Sequence, residues 1–141
     1  MEWTKENYSI STNKDKINVP YVHAFLSRSY WAQNIPLEVV RRSIEGSLCF
    51  ALFFGDEQIG FARVITDEAT FAYLADVFID ERFRGNGLSK WLMEVILDYP
   101  TLQGLRRFML ATKDAHGLYS QFGFVPLSFV DRWMHIHRPD V

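Results

Sequence analysis

Val77-Phe78-Ile79-Asp80-Glu81-Arg82-Phe83-Arg84-Gly85-Asn86-Gly87-Leu88-Ser89-Lys90 is the stretch of this 141-residue chain whose reading decides the fold. Its first three residues end a run over 70–79, rich in aromatic and β-branched side chains, that reads as a strand. Its last three open a helix. Leu88, Trp91, Leu92, Val95, Ile96 and Tyr99 repeat at the spacing of one apolar helical face, and Pro100 stops the run. Between strand and helix stand two glycines and two arginines. A helix N-terminus presents unpaired N–H groups and the positive end of the helix dipole, and glycines let an anion approach the main chain without a Cβ in the way. With Arg82 and Arg84 at the rim, the ligand best matched to this turn is a diphosphate. The turn is neither of two common phosphate motifs. It lacks the Gly-Lys-Ser/Thr ending of a Walker loop, and Lys90 occupies the place of the third glycine in a dinucleotide fingerprint. On the glycines alone, a merely tight loop fits equally well.

Outward from this stretch, the chain alternates helical and extended patterns. A short strand spans Tyr8–Ser11; Val19, Val22, Phe25 and Leu26 then keep helical spacing. A second helix starts after Pro36 and carries Leu37, Val40 and Ile44 until Gly46. The connection between these helices holds Tyr30 and Trp31. Strands follow at Leu48–Phe54 and 58–66, joined at Gly55-Asp56, and then comes the strand 70–79. Beyond the long helix, 106–111 reads as a strand. Ala115, Leu118, Tyr119 and Phe122 form a short helix closed by Gly123, and 125–130 with 133–137 read as a final pair of strands. The order β, α, α, β, β, β, α, β, α, β, β predicts an α/β (α+β) fold, one mixed sheet with helices on its faces. No repeat or linker divides the chain, so one domain over 1–141 is expected.

Composition narrows the class. Apolar residues make up 48% and charged residues 23%, the balance of an ordinary folded domain. Fifteen basic residues against 17 acidic ones leave a net charge of −2, which argues against general nucleic-acid binding. No apolar run is long enough to span a bilayer, and the polar N-terminus is not a signal peptide. The single cysteine, Cys49, lies in an apolar strand and reads as a buried thiol in a reducing, cytoplasmic compartment.

Arg82-Phe83-Arg84-Gly85-Asn86-Gly87 resembles the Arg/Gln-x-x-Gly-x-Gly/Ala signature of the GNAT family, the Gcn5-related N-acetyltransferases. About thirty residues later, Ala115-His116-Gly117-Leu118-Tyr119-Ser120-Gln121-Phe122-Gly123-Phe124 is similar to the family's second signature: an alanine, a tyrosine four residues on, then Gly-Phe. The chain departs from the family pattern in lacking a proline near Glu81 and in carrying Thr112 where many members have asparagine. The resemblance implies a mostly antiparallel sheet with helices on both faces, splayed open beside the strand that ends at Ile79. Acetyl-CoA would lie in that opening. Its pantetheine amides would pair with the backbone of Val77, Phe78 and Ile79. Its diphosphate would rest on Arg82, Arg84, Gly85, Asn86 and Gly87 and on the first helical turn, Leu88, Ser89 and Lys90.

The same resemblance gives Tyr119 the role of general acid; by spacing alone it would be a core tyrosine. A neutral phenol can donate a proton to the departing CoA sulfur. An attacking primary amine is charged in all but about one molecule in two thousand at pH 7, so a proton acceptor is needed. Asp76, a carboxylate in an apolar strand, is the first candidate, with a structural carboxylate as the competing reading. His116 is the second, against a solvent-facing side chain. Tyr30 and Trp31 would wall the acceptor pocket or anchor their loop to the core. His135 and His137 lack the further ligands a metal site needs, so no metal is expected.

The function implied is transfer of an acetyl group from acetyl-CoA to a primary amine, by direct attack in a ternary complex and with a small-molecule acceptor. Cys49 is badly placed for an acyl-enzyme. Two other readings stand beside it: a non-catalytic CoA- or acyl-CoA-binding regulatory module, and a protein or peptide N-acetyltransferase. The expected partners are acetyl-CoA and the amine, with no nucleic acid and no membrane; a homodimer is left open.

Overall fold

Two long strands, β4 (Glu57–Thr66) and β5 (Phe71–Ile79), form the centre of the computed structural model, which describes residues 1–141. With β1 (Glu2–Lys5), β2 (Tyr8–Ser11), β3 (Leu48–Phe54) and β6 (Arg107–Leu110) they make one six-stranded sheet in the order β1-β2-β3-β4-β5-β6. Every neighbouring pair is antiparallel except β5 and β6, which run parallel. Four α-helices accompany it: α1 (Val19–Leu26), α2 (Leu37–Glu45), α3 (Leu88–Leu97) and α4 (His116–Ser120). This is the mixed, mostly antiparallel sheet with helices on both faces that the sequence leads one to expect.

Strand alternation sorts the core into two layers. Phe50, Leu52, Ala62 and Val64 turn to the face covered by α3, where Leu92, Met93 and Ile96 are fully buried. Cys49, Ala51, Phe53 and Phe61 turn to the other face, where Val22 and Leu26 of α1 and Val40 and Ile44 of α2 cover them. The helix starts have local causes. The Asn18 side chain accepts the Tyr21 N–H at 3.1 Å with Pro20 in the first turn of α1, and Pro36 leads into α2. No helix is long and apolar enough to cross a membrane.

Two details of the element order differ from expectation. The N-terminal strand is half of a hairpin, Trp3 opposite Ile10; a lone apolar residue in Glu-Trp-Thr-Lys gives no alternation to read. The final pair of strands, 125–130 and 133–137, does not form. Pro126 lacks a donor, Phe129 takes a left-handed φ of 54°, and Val130–Arg132 closes a 3₁₀ turn, so no extended run is long enough to pair. The outer edge of β6 therefore carries no neighbour. His135 and His137 stack at 5.8 Å on an exposed irregular segment rather than on a strand face.

Candidate active site

The sheet opens at one residue. In β4 and β5, Phe61 faces Phe78 while Arg63 faces Ala75, so β5 carries one residue more than β4 between these pairs. The surplus is a β-bulge around Asp76, which adopts a left-handed φ of 56°. Leu74 and Phe78, four apart, would otherwise share a face; instead Leu74 packs with α3 and Phe78 with α1. Beside the bulge, β5 and β6 separate. They pair only from Phe71–Arg107 to Leu74–Leu110, so the β6-facing edge of 75–79 has no strand partner. An acyl chain bearing amides can use such an edge as an added strand would.

Beyond Ile79 the chain makes a 3₁₀ turn at Glu81–Phe83 and enters α3 through Gly87. Gly85 and Gly87 hold φ of 84° and 74°, and a Cβ on either would project into open space. No side chain caps α3, so its first N–H groups point outward unpaired. Ile79, Phe83, Arg84, Gly85, Gly87, Leu88, Ser89 and Lys90 line a cavity of about 190 Å³ there, a volume suited to a diphosphate rather than to a whole nucleotide. The two arginines are less free than expected. Arg82 is tied to Asp80 (Nε–Oδ1 3.1 Å) and to Glu57 (Nη2–Oε2 3.0 Å), while Arg84 Nε donates to the Ile79 carbonyl at 3.0 Å. The Arg82 guanidinium in turn holds the Asp80 carboxyl below the usual carboxylate range. The Asn86 side chain closes the turn by donating to the Phe83 carbonyl at 2.9 Å.

Tyr119, on α4, is buried against the α3 layer, and its hydroxyl makes no hydrogen bond within the chain although it is not sealed from solvent. Burial, with a smaller contribution from Tyr30, raises its pKa above the ordinary phenol value, so it is neutral and able to donate through the physiological range. Tyr119 and His116 line a second, larger cavity of about 840 Å³ along β6 and α4, separate from the α3 cavity. His116 is exposed, three residues before Tyr119. Both oxygens of Asp76 are engaged: Oδ1 accepts from the Trp31 indole N–H at 3.0 Å and Oδ2 from Arg63 Nε at 2.8 Å. Arg63, which also donates to Ser47 Oγ at 3.1 Å, has no part in the sequence reading. A signal for it exists. Arg63 and Asp76 are the lone charges in the interiors of two neighbouring apolar strands, and lone opposite charges so placed are expected to pair.

Tyr30 and Trp31 are both exposed at their rings, yet both are anchored. Trp31 reaches Asp76 on β5, whereas the Tyr30 hydroxyl accepts the Lys113 N–H at 3.0 Å from the segment between β6 and α4. The cleft, its glycine turn and its phenol thus come from four separate parts of the chain.

The profile of the Acetyltransferase (GNAT) family matches residues 13–124. The chain belongs to the GNAT family. It is an N-acetyltransferase by that membership. A proposed acetyltransferase of Gibberella zeae, FG08082, is 31% identical over 142 residues, covering 84% of this chain and 79% of its own. The crystal structure of a proposed GNAT acetyltransferase from Xanthomonas campestris pv. campestris is 48% identical, with a TM-score of 0.92 over 94% of each chain. A proposed acetyltransferase from Clostridium acetobutylicum, solved with acetyl-CoA, shares the fold (TM-score 0.68, 15% identity, 97% of this chain and 96% of that one). The GNAT family uses acetyl-CoA, and the glycine turn and open strand edge of this acetyltransferase fit such a ligand. No group of three or more His, Cys, Asp or Glu side chains converges as a metal site would require.

Proposed function

We propose that residues 1–141 act as one catalytic domain that transfers the acetyl group of acetyl-CoA directly to a primary amine, with a small-molecule acceptor. The observation that carries this is the continuity of an unpaired strand edge at 75–79 with an uncapped helix N-terminus at Gly87. On this reading the amides of the Gly85–Lys90 turn hold the diphosphate, and the edge at Val77 and Ile79 holds the pantetheine amides. The sulfur then lies near Asp76, beneath Tyr30 and Trp31. The exposed Trp31 ring offers the ammonium form of the acceptor an aromatic face, and because Tyr30 and Trp31 cross the opening a small amine fits better than a folded peptide segment.

Tyr119 donates its proton to the sulfur as the C–S bond breaks, while the amine nitrogen forms its bond to the carbonyl carbon. Asp76 already accepts from Trp31 and Arg63, so we assign it to holding those side chains. His116, exposed beside Tyr119 and without a hydrogen-bond partner in the chain, is the proton acceptor we assign. Histidine 116 to alanine (His116→Ala) should lower kcat about 10²-fold near pH 7, with acetyl-CoA affinity preserved; an unaltered kcat would return the role to water.

The binding half of the reading is tested without knowing the acceptor. Acetyl-CoA should raise the melting temperature with ln[ligand]. Gly87→Glu places a strained, negatively charged side chain in the α3 cavity and should abolish the shift. Equal binding by both proteins in calorimetry would remove the turn from the site. Thiol release from acetyl-CoA, screened over amines, amino acids and peptides, then identifies the acceptor class.

A further inference from the structure

The dipeptide Tyr30-Trp31 is fastened at both of its side chains, one to each lip of the opening. On the β5 lip, Trp31 binds Asp76, two residues past Leu74, the last residue of β5 to pair with β6. On the β6 lip, Tyr30 binds the main chain of Lys113, three residues past Leu110, and the Lys113 ammonium stands 5.5 Å over the Tyr30 ring. The two anchor points thus lie just beyond the last paired positions, where the strands have parted. The dipeptide lies across the narrow end of the cleft.

The anchors are themselves held. Asp76 is locked by Arg63, a pair whose side chains are only 9% and 16% exposed. The loop carrying the dipeptide is closed at its base. Buried Ser29 accepts the Ala32 N–H at 3.1 Å and donates to the Leu26 carbonyl at 2.7 Å, the Asn34 N–H reaches the Ser27 carbonyl, and His23 Nε2 meets the Ile35 carbonyl at 2.9 Å. Such a loop does not swing freely; parting the lips means breaking a bond at one end or the other.

We propose that Tyr30 and Trp31 form a staple that fixes the separation of β5 and β6 at the acyl end of the cleft and so limits the length of the acyl group the enzyme accepts. The inference rests on the placement of acetyl-CoA in this cleft. With the diphosphate at Gly85–Lys90 and the chain running back along 79 to 75, the acyl group ends where the strands converge. One wall there is the paired sheet and another is the staple. On this placement a two-carbon acyl group ends beneath the staple, and added methylenes would meet either the strands or the aromatic rings. The connection that carries Lys113 leads directly into α4 and Tyr119, so the staple also holds the phenol in place, making these positioning residues.

Tyr30→Phe keeps the ring and removes the acceptor for Lys113; Trp31→Phe keeps an aromatic ring and removes the donor to Asp76. Neither creates a cavity of consequence. Calorimetry with acetyl-CoA and butyryl-CoA on the wild type, both single variants and the double variant reads the ratio of the two dissociation constants, which needs no acceptor. The staple predicts that the wild type favours acetyl-CoA and that each single change shifts the ratio toward butyryl-CoA at least 10-fold. It also predicts that the double variant shifts it no further than the stronger single variant, because a staple opened at one end is already open. A ratio within 2-fold of wild type in both single variants, with wild-type acetyl-CoA binding intact, overturns the staple alone. Multiplying shifts in the double variant overturn it too, since they would make the rings independent contacts. Failure of the wild type to bind acetyl-CoA would overturn the cofactor placement and the staple together.

Discussion

Removing one oxygen atom from Tyr119 separates a catalytic phenol from a packing tyrosine. The ring of Tyr119 lies at 6.0 Å from that of Phe124 and packs with the α3 layer, and Phe would keep both contacts. The hydroxyl bonds to nothing in the chain, so Tyr119→Phe orphans no partner. Its cost to stability should stay within about 1 kcal/mol, a melting shift of no more than about 4 °C for a chain of this size. The kinetic cost is set by what leaves. Thiolate departure without a donor loses general acid catalysis, worth about 10²- to 10⁴-fold; water reaching a hydroxyl that is not sealed should substitute in part, putting the loss near 10²-fold. That is about 2.7 kcal/mol of transition-state stabilisation, nearly three times the stability term.

The assay is thiol release with a saturating acceptor, alongside acetyl-CoA titration by calorimetry. The expected result is a 10²-fold fall in kcat with the dissociation constant unchanged within 2-fold, since the proton moves only in the transition state. The pH profile gives a second reading. A pKa raised above 10 by burial keeps the phenol protonated, so any alkaline loss due to Tyr119 begins above the ordinary phenol range and is missing from the Phe variant. Unchanged turnover per folded molecule, or a fall in kcat matched by a fall in affinity, would refute the reasoning.

Gly60→Ala should destabilise the protein by about 1–3 kcal/mol in denaturant titration, because the new Cβ would sit 3.0 Å from the Phe78 carbonyl oxygen and 3.2 Å from Leu52 Cβ, both fixed by the sheet; wild-type stability would show that the two strands can part at no cost. Cys49 is buried and its thiol is pushed up to about 11, so iodoacetamide at pH 8 should modify native protein at least 10-fold more slowly than unfolded protein. The neutral thiol favours the folded state below the unfolded pKa near 8.5, and that contribution fades as pH rises toward 11. Equal alkylation rates in the two states would contradict the burial.

The parts of the site that were legible are those whose chemistry is local. Gly85 and Gly87 declare a turn with positive φ, and the stripe from Leu88 to Tyr99 declares a helix, so the cavity at their junction is written in contiguous residues. Arg82 was visible as a cation but its engagement was not, because Glu57 lies 25 positions away and joins it only after β4 and β5 pair. The splay itself was hidden. Nothing in Leu-Ala-Asp-Val-Phe marks a bulge, since no glycine or proline punctuates it, and an aspartate in the left-handed region needs tertiary partners to stay there. At the C-terminus the fault ran the other way. Met134 and Ile136 alternate with polar residues as a strand would, but alternation without an edge to pair with leaves them exposed at 94% and 81%.

Asp76 joins the bulge, the cleft and the dipeptide at one residue. A left-handed φ on a non-glycine residue costs on the order of 1 kcal/mol, and a carboxylate held at 9% exposure costs more unless it is paired. The Arg63 guanidinium and the Trp31 indole supply both oxygens with donors, so the strain is retained rather than relaxed. Retaining it moves Phe78 to the α1 face, where its ring stacks on Phe25 at 3.9 Å, and leaves Ile79 on the α3 face directly ahead of the glycine turn. The strained residue therefore does three things at once. It ends the pairing of β5 with β6, aims the last residues of β5 at the diphosphate cavity, and anchors one end of the dipeptide over the cleft. A carboxylate serving as the base would lose its charge in each catalytic cycle and weaken its pairing with Arg63, loosening the geometry that the reaction needs.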